Sequence, residues 1–426
     1  MHRTLTILLL IASLASACIA APPVPTGPRL REIVAANYPN GNVLVGATTG
    51  EWAFGTDQGV LMDREFSYVT PENDFKQSTI HPYPGKWSWS KPDAWVSHIL
   101  ANRQILRVHG PISPQASSWA LDDARTAAEL EQNMREFFTA LCQRYNGRPG
   151  FKYLDVINEV VINGWWHTDK PGTGWECPWF KIGQENNRLR TPLYIIYAFE
   201  IAAEHAKDFR LVLNHHESPA RQASWNLLKD LVYELMDRGL PIHGVGWQAH
   251  VNAGWDTTAN LAALSALIDW THTMGLDFHV TEQGVHIPDQ TPASLDLQAR
   301  TYRRIVEVLL QHRRGGLVAW NTWHISDAHG WQTEEFPSLF DTAYAPKPAY
   351  YVLQSLLSDH SDLLCDFNLD QQVNPLDLAY LASRWLHEDP IFEPADLNAS
   401  GRVDAPDLAL FHQQYNNVPP SAPDND

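Results

Sequence analysis

Two glutamates, Glu159 and Glu282, each close a short apolar run: Asp155-Val156-Ile157-Asn158-Glu159 and His279-Val280-Thr281-Glu282. Cleaving a glycosidic bond takes two carboxyl groups flanking it. One, with a raised pKa, protonates the leaving oxygen, while the other, ionised, attacks or activates water. Other run ends carry Pro71-Glu72-Asn73, His109-Gly110, Asn214-His215-His216-Glu217, Gln248-Ala249-His250 and Asn321. Carboxylates, amides and imidazoles there suit a polyhydroxylated ligand, and 17 Trp offer flat faces for sugar rings or packing for a core. One Glu after a strand is more often a solvated surface group; the pair among these neighbours favours catalysis. His215, His216, His250, His279 and His286 invite a metal reading, but no HExxH-type spacing supports it, and polar histidines in a sugar site fit better.

Such residues need a scaffold that brings distant segments to one mouth. From about residue 40 to 358, short β-branched runs alternate with amphipathic stretches. The runs are Val43–Ala47, Phe66–Val69, Ile105–Val108, Tyr153–Ile157, Leu211–Leu213, Gly244–Trp247, Phe278–Thr281 and Leu317–Trp320. Helices are clearest at Ala127–Tyr145, Pro192–Ala206, Leu261–Met274 and Leu297–His312. Eight such units imply an α/β fold, a (β/α)8 TIM barrel, whose active site lies at the C-terminal strand ends. The polar clusters stand at those ends.

The chain has 426 residues, 44% hydrophobic, with a formal net charge of -18, which argues against nucleic acid or an anionic membrane as partner. Residues 1–20 read as an export signal: His2 and Arg3, the apolar run Leu5 to Ala12, then Ala15-Ser16-Ala17. Secretion is expected, with lipid anchoring at Cys18 as the alternative. Cys142, Cys177 and Cys365 are too sparse for a disulfide framework, leaving room for one bridge.

Residues 30–358 resemble glycoside hydrolase family 10, the endo-β-1,4-xylanases. Val69-Thr70-Pro71-Glu72-Asn73-Asp74-Phe75-Lys76 resembles the family's first signature, and Pro84-Gly85-Lys86-Trp87-Ser88-Trp89 continues it. Asp155 to Glu159 is similar to the acid/base segment, Val245 to His250 to the sixth-strand motif, and His279 to Glu282 to the nucleophile segment. Trp323, Asp327 and Trp331 keep the spacing of a later block. Pro337 to Asp341 and Pro346 to Tyr350 match the closing segment. The resemblance implies retention by double displacement without a catalytic cofactor, Glu159 as acid/base and Glu282 as nucleophile, about 5–5.5 Å apart. It also implies that Asn158 bonds the sugar 2-hydroxyl, that Glu72, Asn73 and Lys76 serve the glycone side, that His109 is a further substrate-binding residue, that Gln248 and His250 flank the nucleophile, and that Trp323 and Trp331 wall the site.

Three departures stand out. After Arg107-Val108-His109, Gly110-Pro111-Ile112-Ser113-Pro114-Gln115 replaces the family's Trp-His pair. Gln283-Gly284 follows Glu282 where the family has Leu-Asp, so the acid behind the nucleophile's histidine is missing. His215-His216 stands where Asp-Tyr is frequent. The stretch from Trp165 to Trp179 reads equally as a sugar platform or a packed lid.

Past Ser361 the pattern changes. Asp366, Asn368, Asp370 and Asp377 hold positions 1, 3, 5 and 12 of one loop, and Asp396, Asn398, Ser400 and Asp407 those of a second. These are the oxygen donors Ca²⁺ takes, with the backbone carbonyls of Gln372 and Arg402 at position 7. Short helices are expected at Leu378–Trp385 and Leu408–Tyr415. Residues 362–417 resemble a type I dockerin, a small all-α module, which implies a cohesin-bearing scaffold as partner. Pro375-Leu376 and Ala405-Pro406 replace the usual hydroxyl-bearing recognition pairs and point away from a standard one. Residues 418–426 read as a disordered tail.

Together these features describe a secreted, monomeric, retaining endo-β-1,4-glycanase, first of all a xylanase. The rivals are an enzyme for another β-glycan or a substituted xylan, and an inactive carbohydrate-binding protein.

Overall fold

The computed structural model describes residues 24–170, 175–330, 332–360, 362, 365–368, 370, 372–389, 393–398 and 400–417. The leader with Cys18, Trp331 and the tail from 418 lie outside these. The eight expected runs are barrel strands: β1 (Val43–Thr49), β2 (Tyr68–Pro71), β3 (Ile105–Val108), β4 (Phe151–Asn158), β5 (Arg210–His215), β6 (Gly244–Trp247), β7 (Asp277–His286) and β8 (Val318–Thr322). All pair in parallel and in order. The ring closes where Val318 of β8 faces both Val43 of β1 and Phe278 of β7.

Alternation within each strand divides the core. Val43 and Val45 join the large cluster under the helices, whereas Leu44, Tyr68, Ile105, Tyr153, Val212 and Ala319 form a separate cluster inside the barrel. The flanking helices begin where the sequence supplies caps. Thr126 and Glu129 form a capping box for Ala127–Tyr145, and Thr291 with Pro292 starts Pro292–His312.

Two differences from expectation have local causes. Phe66 ends the helix Asp57–Glu65, so β2 starts at Tyr68. β7 runs on to His286 because Gly284–His286 pairs with a short strand, His250–Asn252, above the barrel rim. Cys142, Cys177 and Cys365 are buried and unbridged.

In the C-terminal region, helices Pro375–Ser383 and Ala405–Asn417 follow the two acidic loops. Cys365, Val373, Leu381, Ala395, Val403 and Phe411 form its own small core.

Candidate active site

Inside the barrel the side chains turn from apolar to ionised along the strands. Above Tyr68 and Tyr153 lies His279, and above it the fully buried pair Arg107–Asp155. Arg107 also donates to the Thr281 carbonyl at 2.8 Å. Asp155 takes a second bond from His109 Nδ1 at 2.9 Å. This layer fixes β3, β4 and β7 directly beneath the two glutamates.

Both glutamates sit at irregular backbone. The register of β4 against β5 shifts between Asp155 and Ile157, and that of β7 against β8 between Val280 and Gln283. Such bulges re-aim side chains at barrel rims. Glu159 holds φ 59, a left-handed conformation, while its N–H donates to the Asn214 carbonyl at 3.0 Å.

Amides connect the two carboxylates. Asn214 Nδ2 donates to Glu282 Oε1 at 2.8 Å and to Asn158 Oδ1 at 2.9 Å. Gln248 Nε2 donates to the same Asn158 oxygen at 3.2 Å and to Glu159 Oε1 at 2.7 Å. The Asn158 carbonyl oxygen is thus filled twice, from β5 and from the end of β6. Asn214 itself lies flat against β6 because residue 246 is glycine: a Cβ there would stand 2.6 Å from Asn214 Oδ1.

Glu282 is 3% exposed, with His250 Nε2 3.2 Å from one oxygen and His109 Nδ1 3.6 Å from the other. Burial pushes its pKa up, but His109, His250 and Arg107 outweigh that and hold it at about 2. It is therefore an ionised carboxylate poised at the mouth. Glu159 is 7% exposed, and Gln115 Nε2 donates to its second oxygen at 2.7 Å. Lys76 is buried, and burial lowers its pKa against the opposing pull of Glu159, Glu282 and Glu72. Burial also raises Glu72, with Lys76 opposing. Asn73 is exposed beside it. Trp323 packs edge-on against His109 and His250, with ring centroids at 5.4 and 6.0 Å.

The fold thus gathers Lys76, His109, Asn158, Glu159, Gln248, His250, Glu282 and Trp323 around one mouth. Trp331 lies outside the described residues. Gln115 and Asn214 received no role from sequence. Gln115 ends the loop that departs after His109, and a polar side chain closing that Gly-Pro loop was the signal available. The Trp-rich stretch divides: Trp179 is fully buried and donates to the Ser113 carbonyl at 2.9 Å, bracing that same loop. Trp165, on the hairpin Val161–Ile162/Trp165–Trp166, is 75% exposed.

Among the described residues no three His, Cys, Asp or Glu side chains converge to hold a metal ion. The two C-terminal loops nevertheless repeat one arrangement. Asp366 Oδ1 accepts from the Asp370 N–H and Asp396 Oδ1 from the Ser400 N–H, both at 3.0 Å. Asp377 Oδ1 closes its loop on the Phe367 N–H at 2.7 Å, and Asp407 Oδ1 on the Asn398 N–H at 3.1 Å. An all-oxygen donor set folded twice around acidic side chains fits a hard cation such as Ca²⁺.

A family model for glycosyl hydrolase family 10 matches residues 34–356, and one for the dockerin type I domain matches residues 364–416. The chain is similar to endo-1,4-beta-xylanase A of Caldicellulosiruptor saccharolyticus, 30% identical over 330 residues, 72% of this chain and 90% of that one. It is similar to the crystal structure of xylanase 10B from Thermotoga maritima, with TM-score 0.66 and 26% identity over 78% of this chain and 98% of that one. Its fold is also that of xylanase 10B from Thermotoga petrophila in complex with xylobiose, with TM-score 0.67 and 24% identity over 79% and 99% of the two chains.

Proposed function

The chain belongs to glycosyl hydrolase family 10 and carries a type I dockerin region, and from that premise we propose that it is a retaining endo-1,4-β-xylanase. The observation that carries this is the buried pair Glu159 and Glu282, joined through Asn158, Asn214 and Gln248, with Glu282 held ionised.

Glu282 attacks the anomeric carbon of the bound xylose while Glu159 gives a proton to the departing glycosidic oxygen. A covalent glycosyl-enzyme on Glu282 results. Glu159, now a base, then takes a proton from water, whose oxygen displaces Glu282 and restores the original anomeric configuration. Asn158 donates to the 2-hydroxyl, a bond that strengthens as the ring flattens. Asn214 and His250 hold the Glu282 carboxylate against rotation. Glu72, Asn73 and Lys76 bind the glycone side, His109 adds to the substrate site, and Trp323 walls it. None of these steps calls on a cofactor.

Export is supported by the leader pattern of residues 1–20. Ca²⁺ would be held by Asp366, Asn368, Asp370, Asp377 and the Gln372 carbonyl, and by Asp396, Asn398, Ser400, Asp407 and the Arg402 carbonyl. Bound there, it would order the loops for docking on a cohesin-type partner through a surface that includes the exposed Leu376.

The test is product release from xylan, arabinoxylan, mixed-linkage β-glucan and carboxymethyl-cellulose, with Glu159→Ala and Glu282→Ala as controls. Short xylo-oligosaccharides that vanish in both variants support the proposal. Turnover of other glucans alone would move the substrate, and silence on all four would leave a carbohydrate-binding protein.

A further inference from the structure

The turn after β1 carries Gly50-Glu51-Trp52, and two hydrogen bonds lock it to the segment after β2. The Glu72 N–H donates to the Thr49 carbonyl at 3.1 Å, and the Glu51 N–H donates to Asp74 Oδ2 at 2.7 Å. Trp95 Nε1 donates to the same buried carboxylate oxygen at 2.8 Å. Trp52 thus stands on a braced turn next to Glu72, as a side chain that must present a fixed surface to a ligand should.

The two tryptophans divide the work here. Trp95 is 0% exposed and packs the core, whereas Trp52 is 41% exposed. The Trp52 ring is nevertheless held in place. Its indole folds back over Gly50, where a Cβ would stand 2.5 Å from Cδ1 and 2.6 Å from Nε1. Gly50 has φ -94 and ψ 168, a conformation open to any residue, so the indole and not the backbone calls for glycine. On the loop after β8, His329 packs against the indole with ring centroids 4.8 Å apart and planes at 57°. His329 Nε2 is itself 2.9 Å from the Tyr344 hydroxyl.

The indole N–H is directed at the substrate site. Burial raises the Glu72 carboxyl, and Lys76 and the Trp52 N–H both oppose that rise. Lys76 in turn feels Glu159 and Glu282. A row therefore runs from the two catalytic glutamates through Lys76 and Glu72 to Trp52. A flat ring fixed at the end of that row, its N–H turned inward and part of its surface in water, is suited to stack on the apolar face of a pyranose.

We propose that Trp52 is a stacking platform for a xylose unit of the polysaccharide, the next one outward on the glycone side from that held by Glu72, Asn73 and Lys76. It makes the enzyme favour longer chains. This rests on the reading of the chain as an endo-xylanase; sugar binding at Trp52 does not require Glu282 to be the nucleophile.

The experiment uses the full chain and compares xylohexaose with an aryl β-xylobioside, whose two sugars end before the platform. Trp52→Ala should lower the ratio of kcat/KM on xylohexaose to that on the xylobioside by about five- to tenfold, chiefly through KM. Trp52→Tyr keeps a flat ring and should restore most of the ratio. Gly50→Ala pushes the indole aside and should reproduce the loss with Trp52 still present, which keeps the test informative if Trp52→Ala folds poorly. Calorimetric titration of xylohexaose into Glu282→Gln should show the same weakening when Trp52→Ala is added. An unchanged ratio in Trp52→Ala, an equal loss on both substrates, or a loss that Tyr does not repair overturns the platform. Should the wild type cleave neither substrate while xylohexaose still binds in a Trp52-dependent way, the platform stands and the xylanase reading falls. Cleavage with an unchanged ratio does the reverse, and no binding of xylohexaose at all overturns both.

Discussion

Replacing Glu282 by Gln removes a charge that the fold works to keep. The carboxyl accepts from Asn214 at 2.8 Å, with His250 at 3.2 Å and His109 at 3.6 Å. Burial alone would favour the neutral acid, but these imidazoles and Arg107 hold it at about 2 against an ordinary 4.5. A group depressed on folding stabilises the native state above its unfolded pKa, and that stabilisation is lost as pH falls towards the folded value. Here it amounts to about 3 kcal/mol at neutral pH, of which about 2 kcal/mol is gone by pH 3. Gln has the same shape and cannot titrate. Urea unfolding of the wild type and Glu282→Gln at pH 7 and pH 3 should show the stability difference moving by about 2 kcal/mol in the variant's favour at the lower pH. A difference that is the same at both pH values would refute the claim that these neighbours hold Glu282 ionised.

Glu159→Ala should cut kcat on xylan by about 10²–10⁴-fold while sparing glycosylation by aryl glycosides whose leaving groups need no proton; equal losses on both would remove Glu159 as the acid. Gly246→Ala places a Cβ 2.6 Å from Asn214 Oδ1 and 2.8 Å from Thr281 Cγ2. It should cost about 1–3 kcal/mol in urea unfolding and lower kcat more than it raises KM, whereas wild-type values would contradict the support assigned to Asn214. Chelation by EGTA should lower a melting transition of the C-terminal region, reversed by added Ca²⁺ with xylan turnover unchanged. Melting that ignores both reagents would rule out the calcium loops.

The barrel was legible because each strand is a β-branched run ending in polar residues, a pattern that local sequence carries. That Glu159, Glu282, Asn158, Gln248 and His250 would meet at one mouth was legible for the same reason, since these polar residues close the strands. What sequence withheld is non-local. Gln115 reaches Glu159 across 44 residues, and no periodicity announces it. Asn214 was visible at its strand end, but its bonds to two other strands depend on the register and on Gly246. The bulges that aim both glutamates are properties of paired strands, which a single run does not reveal. Trp165 and Trp179 share one composition signal and divide, one exposed and one buried, only when the loop after β3 packs over Trp179.

The central claim, a retaining mechanism through a covalent bond to Glu282, is tested most directly by trapping. A 2-deoxy-2-fluoro-β-xylobioside with a good leaving group should inactivate the enzyme, because the fluorine slows breakdown of the intermediate more than it prevents formation. Digestion and mass spectrometry should then place one fluoroxylobiosyl group on the peptide containing Glu282. A label on another carboxylate would contradict the account, as would steady turnover with inverted product and no label.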